Sequence, residues 1–146
     1  MAEPNQYLRL ELEGVNYLLP STASFSIENR EGMIVNESPE GNIAAWRAVK
    51  SRRWPAYCLD SDLKVTRRDN WQRAVFLEAI PNAVGIIVNE VQLLPRADVQ
   101  VTPFTPLGTP PIQIGHLFSG ASVYDGWLTL VFEPKTLIVY LQSLGE

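Results

Sequence analysis

The sequence has little of the residue types on which most metal and disulfide sites depend. Its 146 residues include a single cysteine, Cys58, and a single histidine, His116. One cysteine cannot form a disulfide within the chain, and one cysteine with one histidine cannot supply the three or four ligands of a zinc site. The apolar neighbours Tyr57 and Leu59 predict that Cys58 packs in a buried strand. We therefore expect no metal and no disulfide.

Motifs for phosphate binding and nucleophilic catalysis are also missing. The nine glycines never form G-x-G-x-x-G or a glycine-rich loop ending in lysine. No nucleophile-elbow pattern accompanies His116, and the acids Asp60 and Asp62 have no other catalytic group beside them in sequence. Paired carboxylates far apart in sequence stay open as a glycosidase-like alternative. The sequence favours a protein that is not an enzyme and that needs no cofactor.

Membrane and export signals are missing as well. No stretch of about 18 predominantly apolar residues is present, which argues against a membrane-spanning helix. The first six residues, MAEPNQ, lack the basic and then apolar layout of a signal peptide. The hydrophobic content of 46% and charged content of 19% are typical of a globular protein. We expect a cytoplasmic location without insertion into a membrane.

The chain does contain many short strand patterns. Leu8, Leu10 and Leu12 alternate with charged residues, which predicts a half-buried strand, and Gly14 turns the chain into a second strand. Further strands are predicted at 25–27, 33–35, 53–59, 73–80, 83–88, 112–118, 121–124 and 127–132. Eight to ten strands without strand-helix alternation indicate an all-β fold built as an antiparallel barrel.

Three segments depart from this pattern. Apolar residues recur at helical spacing in 43–49, which leaves helix and strand open there. Residues 64–71 are polar and basic and predict a loop, and 95–111 hold five of the eleven prolines, which predicts an extended connection. A fourth feature ends the chain: a hairpin turn at Asp125-Gly126 precedes a helix that starts at Glu133-Pro134. Its apolar stripe is formed by Leu137, Leu141 and Leu144.

The charge is unevenly distributed. The chain carries a net charge of -4, yet from Arg47 to Arg73 eight basic residues face three acidic ones, a local balance of +5. Such asymmetry marks a candidate partner surface, although a merely solvated face would show it too. Trp46, Trp54 and Trp71 lie among these cations. Rings beside cations are enriched at protein interfaces and also at nucleic-acid surfaces, where bases stack on them.

Several segments resemble the CheW-like domain family. Residues 83–91, AVGIIVNEV, are similar to the family's V-G-x-x-V-D-E-V, with Asn89 in place of the aspartate. Residues 125–137, DGWLTLVFEPKTL, resemble its closing hairpin and final helix. Residues 7–19 resemble its opening hairpin, and 53–60, RWPAYCLD, the segment where a proline begins a strand. The resemblance implies one domain, residues 1–146, made of two intertwined five-stranded, SH3-like β-barrel subdomains with a short C-terminal helix.

The resemblance also implies partners and a binding surface. A non-enzymatic CheW-like adaptor would hold the regulatory domain of a CheA-type histidine kinase and the cytoplasmic tip of a chemoreceptor, for chemotaxis or for twitching motility driven by type IV pili. Lys50, Ser51 and Pro55 are carried over by position, and the charge asymmetry adds three neighbours to these predicted partner-binding residues: Arg52, Arg53 and Trp54. Where the family has N-L-R-G, residues 48–51 read AVKS, which lacks the arginine fork and the glycine.

A second function stays open from the residues alone. The 47–73 segment could serve a small β-barrel as a nucleic-acid-binding surface, with cations for phosphates and tryptophans for bases. A pI near 5.0 and a balance of -9 outside this segment argue against a polyanion partner. Nucleic-acid affinity that appears at low salt and falls steeply with added salt would favour this alternative, and its absence at about 50 mM salt would remove it.

Overall fold

The computed structural model describes residues 4–22, 25–104, 117–124 and 126–146. These residues form twelve β-strands and one α-helix. The strands are β1 Gln6–Leu12, β2 Val15–Pro20, β3 Phe25–Asn29, β4 Ile34–Val35, β5 Ile43–Val49, β6 Arg52–Tyr57, β7 Arg73–Leu77, β8 Val84–Val88, β9 Glu90–Pro95, β10 Val101–Pro103, β11 Phe118–Tyr124 and β12 Trp127–Phe132, and the helix is α1 Pro134–Ser143.

The strands make two six-stranded sheets. The first sheet has the order β10-β11-β12-β2-β1-β9, and the second has the order β3-β7-β8-β6-β5-β4. Each contains five longer strands and one of only two or three residues, β4 or β10. The chain starts in the first sheet, forms the whole second sheet from β3 to β8, and then returns. This confirms the all-β fold with two interwoven barrel-like units and a short C-terminal helix.

The first hairpin follows directly from the sequence pattern. Leu8, Leu10 and Leu12 are fully buried, as their alternation predicted, while β1 and β2 pair antiparallel through six residue pairs. The turn between them needs a left-handed backbone at two successive residues, Glu13 with φ 48° and Gly14 with φ 84°. Glycine adopts that conformation without a steric penalty, so its position fixes where the hairpin bends.

A shared core joins the two sheets to the helix. It contains the β1 leucines, β8 residues such as Ile86, and Leu137 and Leu141 of α1. At its centre, the ring of Phe132 stacks on Tyr17 at 5.0 Å and on Phe118 at 5.2 Å between centroids. Such aromatic contacts add to the burial of apolar area, which is the main stabilising term.

The second sheet packs a separate cluster on its opposite face. That cluster is rich in alanine and includes the fully buried Ala45, Ala56 and Cys58 together with Trp71 and Phe76. The prediction that Cys58 is a packing residue is confirmed, because its exposed fraction is 0%. Small residues let the strands curl closely around the two large rings.

Strand curvature brings β3 and β5 together although three strands lie between them in the order of the second sheet. The guanidinium of Arg47 on β5 lies 3.4 Å from the Glu28 carboxylate on β3 and donates to the Ser26 hydroxyl at 3.3 Å. Side chains rather than backbone pairing therefore link these two strands.

Two segments differ from the sequence expectation. Residues 43–49, open between helix and strand, form β5, in which a bulge between Ile43 and Ala45 leaves three successive buried residues. The extra residue breaks the alternation that identifies a strand. Residues 90–95, for which the sequence predicted no strand, form the edge strand β9, where Gln92 and Leu93 are both exposed. Residues 105–116, which hold most of the predicted extended connection 95–111 and of the predicted strand 112–118, lie outside the described residues, as does Asp125; His116 is among them.

The C-terminal helix begins and packs as predicted. The Glu133 side chain accepts a hydrogen bond from the backbone N–H of Thr136 at 2.9 Å, and Pro134 occupies the first turn. Leu137 and Leu141 are fully buried, while Val139 is 50% exposed. Within the described parts of the chain, no helix is both long and apolar enough to cross a membrane.

This helix offers a matched pair of truncations. Leu141→Ala should lower the free energy of unfolding by about 3 kcal/mol, because it leaves a cavity in the shared core. Val139→Ala on the opposite side of the helix should cost less than about 1 kcal/mol. Urea denaturation followed by circular dichroism measures both. Equal losses would mean that the helix does not pack through the Leu137 and Leu141 face.

Three tyrosine hydroxyls anchor loops and the C-terminal residues by hydrogen bonds to backbone carbonyls. Tyr17 donates to the Ser61 carbonyl at 3.0 Å, Tyr57 to the Gly145 carbonyl at 2.9 Å, and Tyr140 to the Leu63 carbonyl. Burial is the first cause that raises the pKa of each phenol, and nearby carboxylates add to it. All three phenols must stay protonated to donate.

The raised pKa values predict a loss of stability at alkaline pH. Below pH ~10 the phenols are neutral in both states, and above it the unfolded chain loses these protons first, so unfolding becomes easier as pH rises. Tyr57→Phe should lower the free energy of unfolding by about 1 kcal/mol near pH 8, and this difference from wild type should shrink toward pH 11. Urea denaturation at the two pH values measures it. A constant difference would contradict the assigned protonation.

Candidate partner-binding surface

The six predicted partner-binding residues lie together at one end of the β5–β6 hairpin. Lys50 and Ser51 form the two-residue turn between paired Val49 and Arg52, and the other four residues open β6. The left-handed conformation falls on Lys50, with φ 56°, and not on the serine that replaces the family's glycine. The hairpin therefore closes without glycine, although Lys50 carries a backbone strain of order 1 kcal/mol.

The hairpin directs its side chains to two faces. Arg47 and Trp54 are cross-strand partners, and the guanidinium lies 5.3 Å from the centre of the indole. On the other face, Arg53 lies 5.6 Å from the centre of Trp46. Alternation along a strand explains why neighbours in sequence separate in this way. The cations and rings therefore form two small stacks rather than one continuous surface.

An open groove of about 700 Å³ runs beside the hairpin end. One wall is residues 49–52 with Trp54, and the other is the loop 78–83, so the groove belongs to the second sheet and its loop. Arg52 spans the two walls and donates to the Pro81 carbonyl and to Asn82 Oδ1, both at 3.2 Å. These two hydrogen bonds fix the position of the loop relative to the hairpin.

Ile80 lies in the middle of that loop and is 91% exposed. Its carbonyl accepts a hydrogen bond from Gln142 of α1 at 3.0 Å, so the loop is tied on both sides. A second hollow of about 370 Å³ lies beside the same loop and is lined in part by Pro55 and Tyr57. An exposed branched apolar side chain on a fixed loop between two hollows is suited to contact with another protein.

A third hollow of about 220 Å³ continues the groove past Trp54. It shares Trp54, Glu78 and Ala83 with the groove and adds four residues, which are Phe25, Ser26, Arg47 and Phe76. Trp54 packs against Phe76 with 6.4 Å between ring centroids. The apolar floor therefore extends from the hairpin end toward β3. The exposed cations at the hairpin end are Lys50, Arg52 and Arg53, of which Lys50 and Arg52 line the groove.

The basic segment does not act as one charged surface. The Arg68 side chain is only 10% exposed, lies 3.1 Å from the Glu13 carboxylate, and donates to the Leu59 carbonyl at 2.8 Å. Arg67 donates to the Asn36 carbonyl, and Arg47 is paired with Glu28. Three of the eight cations thus hold the fold together. The nucleic-acid alternative loses the continuous basic face that it requires.

The candidate catalytic groups are placed in structural roles or lie outside the described residues. Burial raises the pKa of the Cys58 thiol, so the reactive thiolate is disfavoured. Asp60 Oδ1 accepts the backbone N–H groups of Asp62 and Lys64 at 2.8 and 3.0 Å, which shapes a turn. In the described ranges, no three histidine, cysteine or acidic side chains are grouped so that they could hold a metal ion.

The loop 78–83 was not predicted from the sequence to form part of this surface. The sequence predicted a strand through Ile80, and β7 instead ends at Leu77. Pro81 was the available signal, because a proline lacks a backbone N–H for strand pairing and restricts the residue before it to extended conformations, which favours an end of the strand near Ile80.

Comparison with known proteins supports the architecture. No family model matches the chain, and no curated protein sequence matches it. Among solved structures, the chain is similar to the crystal structure of the scaffolding protein TtCheW from Thermoanaerobacter tengcongensis, with a TM-score of 0.59 and 15% sequence identity over 89% of each chain. At this identity the likeness concerns the fold. The chain therefore has the CheW-like fold that its sequence motifs indicated.

Proposed function

We propose that this chain is a non-enzymatic adaptor in the cytoplasm that couples a chemoreceptor to a CheA-type histidine kinase. It would act as a single domain of two subdomains, in a chemotaxis pathway or in a chemosensory pathway of type IV pili and twitching motility. The supporting observation is the groove between the β5–β6 hairpin end and the loop 78–83, with Ile80 exposed at its edge.

The physical character of the groove favours a protein partner. Its floor is apolar at Trp54, Ala79 and Ala83, and Glu78 is its only acidic lining residue. Lys50 and Arg53 supply exposed positive charge at the hairpin end. A partner segment with apolar side chains and carboxylates would match both features, since complementary charge guides docking and apolar anchors hold it.

Charge and shape variants test this surface. Lys50→Glu and Arg53→Glu should each weaken binding to the kinase regulatory domain or to the receptor tip, and Ile80→Arg should weaken it by at least ~10-fold. Calorimetry with the purified kinase domain and a receptor-tip peptide from the same genome measures each affinity. All three side chains are exposed, so the variants should fold as wild type does. Circular dichroism verifies this.

Arg73→Glu is the matched control. Arg73 is exposed at the start of β7, the end of that strand opposite the loop 78–83, and it undergoes the same change of charge. It should leave both affinities within about twofold of wild type. If Arg73→Glu weakens binding as much as Lys50→Glu, general charge rather than the groove decides binding. If wild type binds neither partner, the adaptor proposal is wrong.

A further inference from the structure

Among the described residues, the tip of the β11–β12 hairpin carries a group of exposed apolar side chains that lies outside the adaptor surface. Trp127 is 76% exposed, and Val123 and Leu128 are each 72% exposed. Val123 and Leu128 are cross-strand partners and lie on one face of the ribbon, so Trp127 lies on the other. Apolar side chains thus cover both faces of a ribbon that extends beyond the core.

Both backbone edges of this tip are free among the described residues. The outer neighbour β10 pairs with β11 only as far as Ser122. On the inner side β12 pairs with β2 only from Leu130 onward, opposite Tyr17. The strands diverge before that point and leave a cleft of about 300 Å³ between residues 14–16 and 127–129. The projecting tip and an open cleft therefore lie side by side.

The ribbon has no protection against association. Exposed strand edges usually carry charged side chains or prolines that prevent contact with another chain. From residue 117 to 132 the sequence contains one charged residue, Asp125, and no proline. Single exposed apolar residues are common on protein surfaces, but three grouped on a ribbon with a single charged residue and free edges are not.

We infer that the β11–β12 tip is a self-association surface, at which two copies of this chain meet about a two-fold axis. A two-fold contact needs a patch that is its own complement. The tip and the cleft beside it meet this requirement, because the Trp127 and Leu128 of each copy can enter the cleft of the other. This inference is independent of the adaptor proposal, since the groove lies on the second sheet and the tip on the first.

The size of the patch sets the strength of the contact. Trp127 offers an aromatic area of roughly 150–250 Å² when fully covered. With Leu128, Val123 and Val15 on both copies, the total buried area is on the order of 1,000 Å². That is below the usual range for stable complexes, so the dimer is weak and forms at high concentration.

Sedimentation velocity from about 1 µM to about 1 mM tests the inference, because that range covers weak association. Wild type should shift from monomer toward dimer, and Leu128→Arg should raise the dissociation constant at least ~10-fold. Ile80→Arg is the control, because it places the same charge at an exposed apolar residue on the other sheet and should leave self-association unchanged.

Cysteine cross-linking locates the contact. The native Cys58 is fully buried, so an introduced thiol is the one that reacts. Leu128→Cys should give a covalent dimer with a short bis-maleimide, and Ile80→Cys should not. A monomer at every concentration, or equal cross-linking of both variants, overturns the inference. So does a monomeric wild type whose Leu128→Arg variant loses kinase or receptor binding, since the tip would then contact a different protein.

Discussion

Phe132→Ala is expected to lower the free energy of unfolding by about 4 kcal/mol, the largest effect of any single truncation in the shared core. The ring is fully buried in the core cluster that includes residues of both sheets and the helix, and it contacts Tyr17 and Phe118, so its loss leaves a cavity in that core. Urea denaturation followed by far-ultraviolet circular dichroism measures the change. The midpoint should fall while its slope stays constant, because the fold itself is retained.

Phe104→Ala is the control for this truncation. Phe104 is 49% exposed, so the same chemical change removes much less buried area and should cost less than about 1.5 kcal/mol. A small effect at Phe132, comparable to that at Phe104, would contradict a core shared by the two sheets and the helix.

Gly85→Ala is expected to lower the free energy of unfolding by about 3 kcal/mol, although it adds only one methyl group. A Cβ at residue 85 would lie 2.7 Å from the Phe76 ring, and that ring is almost fully buried. Strand β8 pairs with β6 on one side and β7 on the other, so the backbone cannot move away. Overpacking of this kind strains the core rather than stabilising it.

A double-mutant cycle identifies the contact responsible. In a Phe76→Leu background, the cost of Gly85→Ala should fall by at least about 1 kcal/mol, because the smaller side chain leaves room for the methyl group. Chemical denaturation of the four proteins gives the coupling energy. Additive costs would mean that the ring of Phe76 is not what requires glycine at residue 85.

Much of the fold could be predicted from local patterns. Alternating leucines in β1, the continuous apolar run of β8 and the capped helix after Glu133 each specify their own conformation, and the structure confirms all three. Strand β5 could not be assigned, because its bulge breaks the period of two that identifies a strand. Strand β9 was missed because its polar and apolar residues do not alternate: Leu94 is buried, whereas its apolar neighbour Leu93 is exposed at the sheet edge.

The candidate surface was less accessible to sequence analysis. The hairpin residues 50–55 are contiguous, so their clustering was predictable. The second wall of the groove depends on hydrogen bonds from Arg52 and Gln142 to the loop 78–83, and no local pattern reports such bonds. Likewise Arg68 belongs to the basic segment 47–73 that the sequence marks as a candidate partner surface, whereas it satisfies a carbonyl and a carboxylate that folding places beside it.

The central proposal is that one molecule of this chain holds a kinase and a receptor at the same time. The most direct measurement is co-sedimentation of the purified CheA-type kinase with membranes that contain the chemoreceptor, with and without this chain. Kinase should appear in the pellet when the chain is added, and Ile80→Arg should greatly reduce the amount. Kinase that sediments equally with and without the chain, or a chain that stays in the supernatant, would contradict the proposal.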